Sequence, residues 1–197
     1  SGVTDGSYTV YIRDASTCVF IAAPVVMEAL SPPTDLSFVN TPLSCPLNVT
    51  DVSITTTGGN GTLNYEIIAP ASATSNISGA SNGIFTGLMP GTYTFQVTDE
   101  FSCSYSESYT IAPLPPVTLN TVLTKDLDCT LSPEAVMTGT ITSGVAPFSY
   151  TVSYNGGAYS APVPTSSTFA YTAANPGTYQ IQVTDANGCS AESRLQF

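Results

Sequence analysis

Three segments of this chain align without a gap, and their recurrence restricts the fold more than any single residue does. Asp5–Cys18 reads DGSYTVYIRDASTC, Pro90–Cys103 reads PGTYTFQVTDEFSC and Pro176–Cys189 reads PGTYQIQVTDANGC. Their cysteines lie 85 and 86 residues apart, and a second cysteine recurs too, with 84 residues between Cys45 and Cys129. A fixed period of this size marks a chain of similar modules. Inside the motif the side chains alternate. Tyr93, Phe95 and Val97 point one way while Thr94, Gln96 and Thr98 point the other, and Tyr179, Ile181 and Val183 or Tyr8, Val10 and Ile12 do the same. Period two with one polar face predicts a half-buried antiparallel strand. A four-residue turn such as Ala186–Cys189 leads into a second alternating strand through Ala191, Ser193, Leu195 and Phe197.

The repeat predicts three pieces: 1–33 as the C-terminal half of a module, and 34–117 and 118–197 as two complete modules, each of sandwich size. The joins, Ser31-Pro32-Pro33 and Ala112–Pro116, are rich in proline. They read either as stiff linkers favouring a rod of beads or as punctuation between strands. Further strands are expected at 49–56, 63–68, 84–86, 136–142, 148–154 and 168–171, with a hairpin turn at Asn155-Gly156-Gly157, since Asn and Gly tolerate positive φ. No stretch has a 3.6-residue period. The expected fold is all-β, in tandem immunoglobulin-like antiparallel sandwiches, one partial and two complete.

Composition narrows the function. The 197 residues carry 14 acidic and only 3 basic side chains, for a net charge of −11, and there is no histidine or tryptophan. Phosphate neutralisation needs Lys and Arg, so nucleic-acid binding is excluded. So is anchoring on anionic lipid through a basic patch, and no apolar run is long enough to insert in a membrane. Lacking His, the chain lacks the commonest general base and metal ligand. Gly79-Ala80-Ser81-Asn82-Gly83 formally matches a nucleophile elbow, but that motif needs a strand–turn–helix setting and a histidine partner. No catalytic residue is assigned, and no cofactor is expected beyond a weak case for calcium. The opening residues, Ser1–Asp5, have no leader character, and the chain reads as a piece of a longer polypeptide.

The five cysteines fall as one in the half module and two in each full one. Cys45 and Cys103 lie 58 residues apart, Cys129 and Cys189 lie 60 apart, and equal placement predicts bonds within modules, Cys45–Cys103 and Cys129–Cys189. Closing such a loop is worth roughly 4 kcal/mol in the chain-entropy model. Cys18 is then left for a partner upstream or in another chain, and disulfides place the protein outside the cytoplasm. Asp14, Asp99 and Asp185 recur at one strand end. Asp99, Glu100, Asp126, Asp128 and Asp185 are the calcium candidates, or else the repeated Asp caps its turn through an Asx bond. Tyr8, Tyr93 and Tyr179 open the late strand where a tyrosine corner would sit. Tyr105, Tyr109, Tyr154, Tyr159 and Tyr171 are candidates for sugar contact or, in a bulkier role, for cross-strand packing.

These segments resemble the SprB-type repeat of Bacteroidota cell-surface gliding and adhesion proteins. The resemblance covers Cys45, Gly58-Gly59, Leu63-Asn64-Tyr65, Leu88–Tyr93, Asp99, Cys103 and Ile111-Ala112-Pro113. In the next module it covers Cys129, Ser143-Gly144, Ala146–Tyr150, Gly177-Thr178-Tyr179, Asp185 and Asn187-Gly188-Cys189. It departs at Glu66 and Val152, where the family has a tryptophan, and at Ser102 and Thr17, where it has glycine. It implies a non-catalytic structural or adhesive segment of a long extracellular protein on the bacterial cell surface, exported by type IX secretion. Its partners would be neighbouring repeats of the same polypeptide, with surface polysaccharide or self-assembly in addition. Two other readings are carbohydrate-binding accessory modules of a secreted enzyme, and a filament subunit joined by strand complementation.

Overall fold

The computed structural model describes residues 2–130 and 133–197. The protein is all-β, built of antiparallel sheets. Contacts divide it into two compact units, one of Ser1–Asn40, Asp51–Leu88 and Thr92–Thr110, the other of Thr41–Thr50, Met89–Gly91 and Ile111–Phe197. Among the described residues no helix is long and apolar enough to cross a membrane.

The first unit begins with four short strands, β1 (Gly6–Tyr8), β2 (Tyr11–Arg13), β3 (Val19–Ile21) and β4 (Val25–Met27). β1 pairs with β4 and β2 with β3, forming one interrupted hairpin. Among the described residues, Val10, Ile12, Phe20 and Val26 of this hairpin stay exposed. The Ser31–Pro33 segment is not a bare linker. The Gly59 N–H donates to the Ser31 carbonyl at 2.6 Å. A Cβ on Gly58 would stand 2.3 Å from the Pro32 carbonyl oxygen, at a φ of +77°, so the Gly58-Gly59 turn answers both to backbone conformation and to this close approach.

Next come β5 (Asp35–Asn40), β6 (Thr50–Thr57), β7 (Asn64–Ala69), β8 (Ile84–Leu88), β9 (Gly91–Thr98) and β10 (Ser104–Ile111). They form sheets ordered β5-β6-β8 and β7-β9-β10. Phe95 of β9 meets Phe38 of β5 at 5.4 Å and Phe85 of β8 at 5.2 Å between ring centroids, so the inward residues of two alternating strand sets interdigitate as in a sandwich core. Tyr93, Phe95 and Val97 are all buried there, which is the face the alternation predicts.

The second unit holds β11 (Thr118–Lys125), β12 (Ala135–Ser143), β13 (Phe148–Tyr154), β14 (Val163–Thr165), β15 (Thr168–Ala173), β16 (Thr178–Thr184) and β17 (Ser190–Gln196). Its sheets are β11-β12-β15 and β14-β13-β16-β17. Ala135, Met137, Val152, Ala173, Tyr179 and Ile181 form the core, and Tyr150 stacks on Phe169 across it at 4.2 Å. Phe169 also lies over Gly139, its register partner on β12. Asn155 and Gly156 both have positive φ, and the Gly157 N–H closes their turn on the Tyr154 carbonyl. β11 meets the far sheet through Thr121 and Ser193, whose hydroxyls are 2.6 Å apart.

Candidate functional site

The most repeated structure in the chain is the turn from Asp to Cys after the motif strand. At Asp185, Oδ1 accepts the backbone N–H groups of Asn187 and Cys189, each at 2.9 Å. At Asp99 it accepts those of Phe101 and Cys103, again at 2.9 Å. At Asp14 it accepts Ser16 at 2.8 Å and Cys18 at 2.9 Å. The main chain closes identically each time, with the Asp N–H donating to the Cys carbonyl two strands' ends apart. An Asp side chain serves this role because its short carboxylate reaches N–H groups two and four residues ahead. The residue before each cysteine then takes a left-handed conformation. It is Gly188 at φ +76°, but Ser102 at 64° and Thr17 at 70°.

The second carboxylate oxygen ties this turn to another. Asp185 Oδ2 accepts the Val145 N–H at 3.1 Å, and Asp99 Oδ2 accepts the Asn60 N–H at 3.2 Å. In return, Ala186 and Glu100 donate to the carbonyls of Val145 and Asn60. Both aspartates are buried. For Asp99, burial pushes the carboxyl pKa upward, but the N–H groups of Cys103, Asn60 and Phe101 and the Asn60 amide outweigh it and hold it below 3.8. Val145 escapes sequence reading because it contributes only a backbone N–H, and Asn60 because its main bond is also made by the backbone. Their 85-residue spacing is the one sign they leave.

The disulfide corrects the expected pairing. Cys45 is bonded to Cys189, with Cα atoms 4.9 Å apart and 144 residues between them, while Cys18, Cys103 and Cys129 are unbonded. The predicted bonds Cys45–Cys103 and Cys129–Cys189 are therefore absent. The reason is where the loop that carries Cys45 lies. Thr41–Thr50 belongs to the second unit, and there the Cys45 N–H donates to the Asn187 carbonyl at 2.9 Å. Cys189 is buried with Val117, Ile141 and Val183. Leu114, Pro115 and Pro116 line the adjoining groove of about 380 Å³.

The calcium candidates do not converge. Asp99 and Asp185 face backbone donors as described, and Glu100 and Asp126 are exposed. Asp128 pairs with Lys125 at 2.7 Å and accepts the Thr130 hydroxyl; these bonds, the Lys125 one foremost, lower its pKa to about 2. Among the described residues no three Asp, Glu or Cys side chains gather as a metal site would require. Tyr179 donates its hydroxyl to the Asn175 carbonyl at 2.9 Å and Tyr8 to the Thr4 carbonyl at 2.6 Å, while Tyr93 is buried. Among the sugar-contact candidates, Tyr109 stacks on Phe38 and bonds Asn40, and Tyr154 and Tyr171 pack against Tyr179. Tyr159 bonds Glu192, and Tyr105 sits beside Glu107, whose charge raises its pKa. The Gly79–Gly83 segment is a turn that leads into strand β8, with no helix after it.

No protein-family model and no curated protein matches the chain, so the SprB resemblance stands on the quoted residues alone. Among the solved structures that are similar to it in part are two of related interest. One is a tetra-tandem repeat in the extending region of a large adhesion protein, 18% identical, with a TM-score of 0.33, covering 98% of this chain. The other is dimeric latent PorU from Porphyromonas gingivalis, 14% identical, with a TM-score of 0.27, covering 96% of this chain. The chain spans 56% of the first and 23% of the second. With TM-scores below 0.5, neither likeness carries an argument about this chain.

Proposed function

We propose that the chain is a non-catalytic structural and adhesive repeat segment of a long protein on the bacterial cell surface, with pieces 1–33, 34–117 and 118–197 as successive repeats. The observation that supports it is the Asp-to-Cys turn, formed three times with the same hydrogen bonds. A cross-link such as Cys45–Cys189 persists in an oxidising compartment, in keeping with an extracellular site. A surface rich in Ser, Thr and Asn and poor in cations suits a hydrated segment that holds shape and presents loops, and its nearest partners are neighbouring repeats of its own polypeptide. Gliding motility and type IX export belong to this reading through the SprB resemblance only.

The test is labelling of intact cells of the source organism with an antibody against this chain, before and after external protease. Surface labelling that protease removes is expected, and deletion of the repeats should lower attachment. Antigen confined to the cytosol, or unaltered attachment after deletion, would overturn the proposal.

A further inference from the structure

The cysteines that carry no bond are not scattered. Cys129 is the repeat equivalent of Cys45, 84 residues on, and Cys18 and Cys103 are equivalents of Cys189. We infer that Cys45–Cys189 is one rung of a repeating cross-link, in which the first-loop cysteine of each repeat bonds the turn cysteine of the next. On this register Cys129 takes a turn cysteine about as far downstream as the 144 residues of the observed bond. Cys103 and Cys18 take first-loop cysteines at the same spacing upstream. All three partners fall outside residues 1–197.

Two features of the structure support the register. First, the receiving turn is already built at all three places. Asp14, Asp99 and Asp185 hold the equivalent N–H groups, and Ser16 and Phe101 are the sequence equivalents of Asn187, whose carbonyl accepts the Cys45 N–H. Second, the thiols without a bond are open to a partner, with Cys18 and Cys129 exposed and Cys103 half-buried. The fit differs in one respect. A Cβ at Gly188 would stand 3.3 Å from the Cys45 carbonyl oxygen. Ser102 and Thr17 carry that Cβ, so their incoming loop sits a few tenths of an ångström further out.

Each rung forms when two thiols lose two protons and two electrons to a disulfide oxidant, by exchange through a mixed disulfide, and the oxidant leaves as two thiols. The consequence is a covalent link between every pair of successive repeats in addition to the peptide chain. The inference rests on the repeat reading above, yet the two fail separately: cell labelling tests location, whereas bond mapping tests register.

The experiment has two parts. The 197-residue chain, oxidised, alkylated without reduction and digested, is expected to yield one cross-linked peptide, Cys45–Cys189, with Cys18, Cys103 and Cys129 alkylated. A Cys45–Cys103 or Cys129–Cys189 peptide would overturn the inference, and this part needs no altered protein. The second part uses the same chain extended after Phe197 by another copy of residues 118–197. Cys129 is expected to join the turn cysteine of the added copy, and Cys129→Ser is expected to leave that cysteine alkylated. An alkylated Cys129 in the folded, extended chain, or its bond to Cys189, would overturn the inference.

Discussion

Replacing Cys45 and Cys189 together by serine removes the cross-link and leaves every other cysteine in place. The bond closes a loop of 144 residues, for which the chain-entropy relation gives about 5 kcal/mol. Residues 51–110 lie almost wholly in the other compact unit. If they stay folded while the second unit opens, the freely varying loop is shorter, and the same relation gives about 4.5 kcal/mol. The expected loss is therefore about 4 to 5 kcal/mol, or about three orders of magnitude in the unfolding equilibrium. Cys103→Ser and Cys129→Ser touch no bond, and each should stay within about 1 kcal/mol of the parent. The assay is guanidinium unfolding without reductant, followed by far-UV circular dichroism because the chain has no tryptophan. Adding reductant to the parent should reproduce the double variant. The reasoning is refuted if Cys103→Ser costs as much as the double variant, because Cys103 would then hold the bond. It is equally refuted if the double variant loses less than about 1 kcal/mol.

Asp185→Ala strands three backbone N–H groups in a buried turn and should cost about 2 to 4 kcal/mol in the same assay; a loss below about 1 kcal/mol would show the turn to be held otherwise. Tyr179→Phe removes one hydrogen bond and keeps the ring stacked on Phe197, so a loss near 1 kcal/mol is expected, and none at all would mean the hydroxyl does not pin the corner. Gly139→Ala places a Cβ 2.2 Å from the Phe169 ring and should destabilise by about 1 to 3 kcal/mol, an effect that Phe169→Leu in the same chain should relieve. Asp128 has a folded pKa of about 2 against an ordinary 3.8, so its contribution is present above pH 3.8 and lost as pH falls toward about 2. Asp99 is shifted the same way. Urea midpoints should drop across that window, and Asp128→Asn should flatten part of the drop; an unchanged slope would contradict the Lys125 pairing.

Much of the fold was legible because burial writes itself into period two. The alternation of Tyr93, Phe95 and Val97, and of Tyr179, Ile181 and Val183, marks strands β9 and β16 and their inner faces. β5, β11 and β14 went unread. β11 turns Leu119, Thr121 and Leu123 inward, and the buried Thr121 hydroxyl is matched by that of Ser193. β14 is three residues long and contains Pro164, so its place comes from pairing with β13. The same alternation leaves β1 to β4 exposed, because a pattern names a face but not what covers it.

The sequence by itself determined the all-β class, the recurrence of the motif strand and the residues of the Asp-to-Cys turn, since these follow from side-chain alternation and local hydrogen-bonding reach. It could not determine the disulfide. Bonding within a repeat and bonding between successive repeats are both strictly periodic, so spacing cannot choose between them. The choice was made by tertiary packing. The Thr41–Thr50 loop sits in the second unit, its Cys45 N–H on the Asn187 carbonyl, and a bond forms only where two Cα atoms come within about 7 Å.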